Sequence, residues 1–345
     1  MFEFVQSIPK AEVHVHIENT LDIPLVTEFA SRNHKTLDFT QEQLFQKRKE
    51  FSCLDDLLGM SEVVQSVLLT QQDYSELSYS YLASLARFNV TYCEPCFFPG
   101  NAFWGLVPFD SIIKGLLEGS SRAETEFGIQ TGWILQLLRT QDSSTNKWIL
   151  EQASFYKEHI AGVGLAGNEL CAPSKDLEST FELARNLGLC GSGEKVTVHT
   201  GEEASPSSII ETLAFLRPGR LDHAVRSLED PYLVKFLSES QTPITLCPVS
   251  NRKLKVLDRF FKGSYIYHEF IKQNCLVCLN SDDPSMYGAY LPEVYKEFIE
   301  QTPWFGPRDL AELAKNSFKC SFLPKKEVNN QVSKIEQLTS KLEEA

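Results

Sequence analysis

Histidine is scarce in this chain, seven among 345 residues, so any convergence of them needs a physical reason. Positive charge is also in deficit: 33 Lys and Arg against 46 Asp and Glu leave a formal net charge of −13. A surface of that sign repels a phosphate backbone and an anionic bilayer, so neither nucleic acid nor membrane is an expected partner. No apolar stretch approaches the roughly 20 residues that a membrane-spanning helix needs. A Pro-rich linker and a low-complexity tract are both missing, and one domain is the expected organisation. The nine cysteines are odd in number, and several sit inside apolar runs. Met1-Phe2-Glu3-Phe4 opens no secretory signal, so reduced thiols in the cytoplasm are expected. Cys93-x-x-Cys96 and Cys275-x-x-Cys278 have the spacing of a zinc ribbon. Both pairs lie in strand-like sequence, where positions i and i+3 face opposite ways, which argues against one.

What is present is a large hydrophobic fraction, 42%, enough for a substantial core in a chain of the length of many α/β barrels. Strand-like runs recur at 11–17, 91–99, 128–138, 162–166, 196–200, 220–224, 243–248 and 276–282. Helical spacing of apolar residues marks 73–88 (Leu77, Tyr81, Leu85, Phe88), 207–216 (Ile209, Ile210, Leu213, Leu216) and 230–237 (Leu233, Val234, Leu237). Eight strands alternating with helices predict an α/β fold, a single (β/α)8 TIM barrel spanning 1–345. The stretch 21–72 is too long for one connection and is expected to lay extra helices over the C-terminal mouth. A charged segment at about 325–345 is expected to form a peripheral helix, its last few residues frayed.

The scarce histidines fall at the ends of these strands. In Ala11-Glu12-Val13-His14-Val15-His16-Ile17, strand geometry sends both imidazoles to one face, a spacing suited to a shared divalent metal. Val196-Thr197-Val198-His199 runs on into Thr200-Gly201-Glu202-Glu203, and Arg220-Leu221-Asp222 leads to His223. Cys275-Leu276-Val277-Cys278-Leu279-Asn280-Ser281 ends on Asp282-Asp283-Pro284. In a barrel, the C-terminal strand ends ring one cavity, which would gather these residues from strands 1, 5, 6 and 8. Three imidazoles and a carboxylate suit zinc, which lowers the pKa of bound water to about 7. A general acid and a general base are then needed, with Glu202, His223 and one of the paired carboxylates as candidates.

His-x-His on strand 1, His-x-Gly-Glu on strand 5, Asp-His on strand 6 and Ser-Asp-Asp-Pro on strand 8 together resemble the adenosine/adenine deaminase family, in order, over about residues 8–300. The resemblance implies one zinc-dependent deaminase barrel domain, with one Zn2+ per chain, that hydrolyses the exocyclic amine of a purine. It implies His14, His16, His199 and Asp282 as zinc ligands and Glu202 as the donor that protonates purine N1, so that C6 accepts hydroxide. It further implies His223 as the residue that positions or deprotonates the zinc water, and Asp283 as the group binding that water and the N7 side of the ring. Leu165-Ala166-Gly167-Asn168-Glu169 is similar to the adenosine branch, whose glycine donates a backbone N–H to N3; that role falls on Gly167.

Other residues look more like the adenine branch. Asp222 stands where nucleoside-specific members usually place glycine, and Ser281 where they usually place threonine. Adenine, giving hypoxanthine and ammonia, is therefore the expected substrate. Adenosine and N6-substituted adenines are the alternatives, and an inert purine-binding protein is the non-enzymatic one. Binuclear hydrolases of the wider barrel group supply a bridging lysine from strand 4, and 161–169 contains none. Three departures from the family pattern adjoin expected site residues: Asn19 where Gly is usual, Thr200 for Ala and Ala224 for Gly.

Overall fold

The computed structural model describes residues 1–343, and in it eight parallel strands follow one another in chain order around a nearly closed barrel. They are β1 (Lys10–His16), β2 (Val90–Phe97), β3 (Trp133–Leu138), β4 (Ile160–Ala166), β5 (Val196–Thr200), β6 (Arg220–His223), β7 (Ile244–Leu246) and β8 (Val277–Leu279). A two-residue strand, Gln130–Thr131, lies beside β2. Past β8 the chain returns to β1: His16 N donates to Asp282 O at 2.9 Å, and Asp282 N to His14 O at 3.2 Å.

The last two strands are shorter than their apolar runs suggest. Pro248 cannot continue the ladder and opens a helix after β7, while the chain after β8 leaves strand geometry to place Asp282 at φ 66°. Alternation along β1 divides two environments. Val13 and Val15 pack outward, Val13 against Ala314 and Phe318 of the helix Pro307–Lys319, whereas Lys10, Glu12 and His14 are buried on the other face.

Between β1 and β2 the chain lays down α1 (Ile23–Arg32), α2 (Gln41–Lys49), α3 (Leu54–Gln65) and α4 (Gln71–Ala86). The first three are the helices expected over the mouth, and Leu54, Leu57 and Leu58 of α3 close the cavity there. Arg48 of α2 ties this cover to the barrel, donating to Ser285 Oγ at 2.6 Å and to the carbonyls of Ser285 and Leu21 at 3.0 and 3.2 Å. The C-terminal helix Lys325–Glu343 packs against Pro307–Lys319 through Ile335, which is fully buried. The last two residues, within the stretch expected to fray, lie outside the described residues.

Candidate metal centre and active site

At the C-terminal end of the barrel, β1, β5 and the turn after β8 aim four donor atoms at one point. His199 Nε2 lies 3.1 Å from both His14 Nε2 and His16 Nε2. Asp282 Oδ1 lies 3.1 Å from His14 Nε2 and 3.3 Å from His16 Nε2. Bonds of 2.0–2.1 Å to one centre put neighbouring ligands about 3.3 Å apart, so the spacing matches donors to one small cation. Asp282 Oδ1 is buried and has no hydrogen-bond partner among the described residues, a cost that a cation would relieve. The donor set therefore fits a divalent metal.

The tautomers agree. Thr245 Oγ1 donates to Asp222 Oδ1 at 2.8 Å, leaving its lone pairs to accept from His14 Nδ1–H at 2.7 Å. His199 Nδ1 lies 3.3 Å from Asp222 Oδ2. With protons held at Nδ1, both rings present bare Nε2 atoms to the centre. Burial opposes ionisation of Asp222, but His14, His199 and Arg220 outweigh it and hold its pKa well below the usual range. Asp222 thus acts behind the ligands rather than among them. Period-two alternation places it on the same face as Arg220, a signal available in the sequence that marked the residue only as a branch feature.

Glu202 follows His199 by three residues, across Gly201 in the left-handed region at φ 65°, where glycine turns the chain toward the cavity without strain. Glu169 pins this loop by accepting from the backbone N–H groups of Gly201, Glu202 and Glu203 at 2.6, 2.8 and 3.0 Å. Burial, with Asp282 and Glu169 nearby, pushes the Glu202 carboxyl well above its usual range and so favours its protonated form.

Asn251 donates from Nδ2 to Glu202 Oε1 at 2.8 Å and lies 3.2 Å from His223 Nδ1; its Oδ1 accepts from Tyr267 at 3.1 Å. His223 Nδ1 therefore accepts, and its proton sits on Nε2, facing Glu202 Oε2 at 3.7 Å and Asp282 Oδ2 at 3.9 Å. Burial keeps this imidazole neutral, its pKa well below the ordinary value. On the opposite flank, burial and then the neighbouring Asp282 raise the Asp283 carboxyl to about 6. Asp283 Oδ1 accepts from Asn19 Nδ2 at 2.6 Å, and its Oδ2 from Tyr287 at 3.3 Å.

The metal, catalytic and substrate-binding candidates named from the sequence are thus gathered at this end. His16, His199, Glu202, His223, Asp282 and Asp283 line one cavity. Gly167 joins them at φ 89°, and His14 completes the donor cluster beneath. Sequence reasoning missed Asn251, Glu169 and Glu12, the last of which accepts from Ser281 N and Oγ at 3.1 and 2.6 Å and so anchors the turn to Asp282. Glu12 shares the period-two face of His14 and His16, the one signal that could have found it. Of the three departures from the family pattern, only Asn19 lines the cavity. Thr200 turns its hydroxyl to Thr212 and Ser208, at 3.1 and 3.3 Å, and does not narrow the site.

Known proteins resemble the chain along nearly its whole length. The profile of the adenosine deaminase family matches residues 9–338. An adenine deaminase of Hahella chejuensis is 33% identical over 337 residues, covering 98% of each chain. One from Sphingopyxis alaskensis is 35% identical over 320 residues, covering 93% of this chain and 92% of its own. The crystal structure of adenine deaminase from Arthrobacter aurescens superposes with a TM-score of 0.90 at 29% identity, covering 97% of this chain and all of that one. With a barrel of this topology and a His/Asp donor cluster at its mouth, the chain belongs to the metal-dependent adenosine deaminase family.

Proposed function

We propose that this chain, acting as one barrel domain over its whole length, hydrolyses the 6-amino group of adenine to give hypoxanthine and ammonia. It is then a hydrolase acting on C–N bonds in cyclic amidines, with a small-molecule purine as its partner. The observation that carries the reading is the convergence of four metal donors and the buried Glu202 carboxyl on one cavity. Full-length similarity to adenine deaminases at 33–35% identity supports adenine over other purines.

His14, His16, His199 and Asp282 would hold one zinc ion, whose preference for nitrogen and oxygen donors they match. When bound, it supplies water acidified to a pKa of about 7. The remaining steps belong to side chains. Glu202 donates its proton to N1, which removes the ring's resistance to addition at C6. N1 and the C5–N7 side flank C6 on opposite sides, so a purine with N1 at Glu202 turns N7 toward Asp283. Gly167 N–H is then the donor for N3.

His223, its proton on Nε2, holds the attacking water by donating to it; the Asn251 contact supports positioning over deprotonation. Asp283, on the other flank, takes up the proton the water sheds, donates it toward N7 and then yields it to the 6-amino group, which leaves as ammonia. Glu202 regains its proton from the new C6 hydroxyl. The leucines of α3 keep bulk water from the ring.

Ammonia release from adenine, adenosine, AMP and N6-methyladenine, measured side by side, tests the reading. Adenine is expected to lead by more than about tenfold in kcat/KM, the order available from one pocket contact. A tenfold preference for adenosine would reassign the substrate, and silence toward every purine would reject the enzyme reading.

A further inference from the structure

One joint of the barrel differs from the rest. Backbone ladders join each strand to the next from β1 through β8. Between β8 and β1, among the described residues, an isolated bridge between Val15 and Asp282 stands in place of a ladder. Two candidate metal ligands, His14 and His16, stand on one side of that joint, and a third, Asp282, on the other. The geometry of the centre therefore depends on what holds the two sides together.

Buried side chains do so, in a reciprocal exchange. From the β8 side, Asn280 Oδ1 accepts from the backbone N–H groups of Val13 and His14 at 2.8 and 3.1 Å. Those two residues fall where the register of β1 against β2 slips, between Glu12 and Val15. The Asn280 oxygen thus fills a bulge, the kind of irregularity that re-aims a side chain. Its Nδ2 donates to Cys278 Sγ at 3.3 Å, which keeps the oxygen toward β1. From the β1 side, Glu12 Oε1 accepts from Ser281 N and Oγ at 3.1 and 2.6 Å, while Tyr81 donates to Glu12 Oε2 at 2.5 Å. The next residue, Asp282, sits at φ 66°, a setting that a residue with a side chain keeps only where its surroundings impose it.

We infer that Asn280 and Glu12 are positioning residues for the metal: Asn280 aims His14, and Glu12, through Ser281, aims Asp282. The pair then sets how firmly an ion is held across the joint that lacks a ladder. The inference rests on the metal centre proposed above. Neither residue is among the four donors; each fixes backbone beside a donor. Groups that stand behind metal ligands in this way tune affinity by about 10- to 100-fold. The linkage is reciprocal. An ion bound to His14, His16 and Asp282 ties β1 to β8, so its removal should loosen this joint before the laddered ones.

The test is the rate at which zinc passes from the loaded protein to an excess of a colorimetric chelator. Release should be at least about tenfold faster than wild type in Asn280→Ala and in Glu12→Leu. Glu12→Gln keeps an acceptor for Ser281 and turns an N–H toward the Tyr81 oxygen, so its release should stay within about threefold of wild type. Glu94→Gln is the control for a general loss of stability, because Glu94 pairs with Arg220 at the opposite end of the barrel. Its release should also stay within about threefold of wild type.

Wild-type release from Asn280→Ala or from Glu12→Leu overturns the role of that residue and leaves the metal centre intact. Equally rapid release from Glu94→Gln overturns both roles, since it would mark a loss of stability at large. If the variants do not fold, hydrogen exchange of the wild type decides. With chelator present, segments 10–17 and 276–283 should lose protection ahead of 133–138 and 160–166, and simultaneous loss counts against the joint. A wild-type protein that carries no metal and takes up no zinc sinks the metal reading first, and these roles with it.

Discussion

The two ends of the barrel bury polar groups in opposite ways. At the N-terminal end, Glu94 Oε2 accepts from Arg220 Nη1 at 2.6 Å, and its Oε1 from Tyr92 and the backbone N–H of Phe322. Arg220 also donates to Cys320 O at 2.9 Å and stacks over Phe322, and Lys10 Nζ donates to the carbonyls of Ile8 and Phe88. Most of the charged atoms there face donors and acceptors that answer them, Arg220 Nη2 being the buried one without a partner among the described residues. At the C-terminal end, bare imidazole nitrogens and a carboxylate face one another, with Asp282 Oδ1, Asn19 Oδ1 and Gln136 Oε1 buried and unanswered. Satisfied burial holds a fold together, while unsatisfied burial that converges marks where something else binds. Asp222 joins the two layers, 3.8 Å above Arg220 and within reach of two candidate metal ligands.

Substitutions can break this contrast, beginning with the largest effect on turnover. Asp282→Ala removes the donor that only a cation satisfies; bound metal, measured by elemental analysis, should fall from one per chain toward none. Turnover of adenine should drop by at least about a thousandfold with it.

Glu202→Gln spares the donors and removes the acid, so metal stays and kcat falls by at least about a hundredfold. The pH profile sharpens this. A carboxyl whose pKa is raised is protonated, and competent, below that pKa, so wild-type kcat/KM should decline as pH rises through it. That limb should vanish in Glu202→Gln.

His223→Gln and His223→Ala separate two roles. If His223 donates to water, Gln retains at least about tenfold more activity than Ala; if it removes a proton, both fall alike. Glu94→Gln is the smallest perturbation of chemistry. It leaves Arg220 short of a charge partner and should cost about 3–5 kcal/mol in denaturant unfolding. The kcat/KM of the folded protein should stay within about threefold of wild type, since the change leaves the mouth untouched.

The strand ends were legible because two constraints act at short range. Period-two alternation fixes which side chains of β1 share a face, and β/α alternation fixes which ends share a mouth. His14, His16, His199 and His223 follow from those rules, and the cover of α1 to α3 from a connection too long for one helix. The partners that hold them were not legible. Asn251 reaches Glu202 across 49 residues, and Glu12 reaches Ser281 across 269, contacts that only closure of the ring creates. Strand length was misread at 243–248 and 276–282, where apolar runs continue past the ladder because Pro248 and the φ of Asp282 bend the chain into the site. Asn19 looked no different from Thr200 or Ala224 until the coordinates showed which of them faces the cavity.

Anomalous scattering from crystals of the purified protein, recorded on both sides of the zinc absorption edge, tests the central claim most directly. The account requires one strong peak per chain, about 2.0–2.1 Å from the Nε2 atoms of His14, His16 and His199 and from a carboxylate oxygen of Asp282. No peak at that point in active protein, or one seated elsewhere, would contradict it.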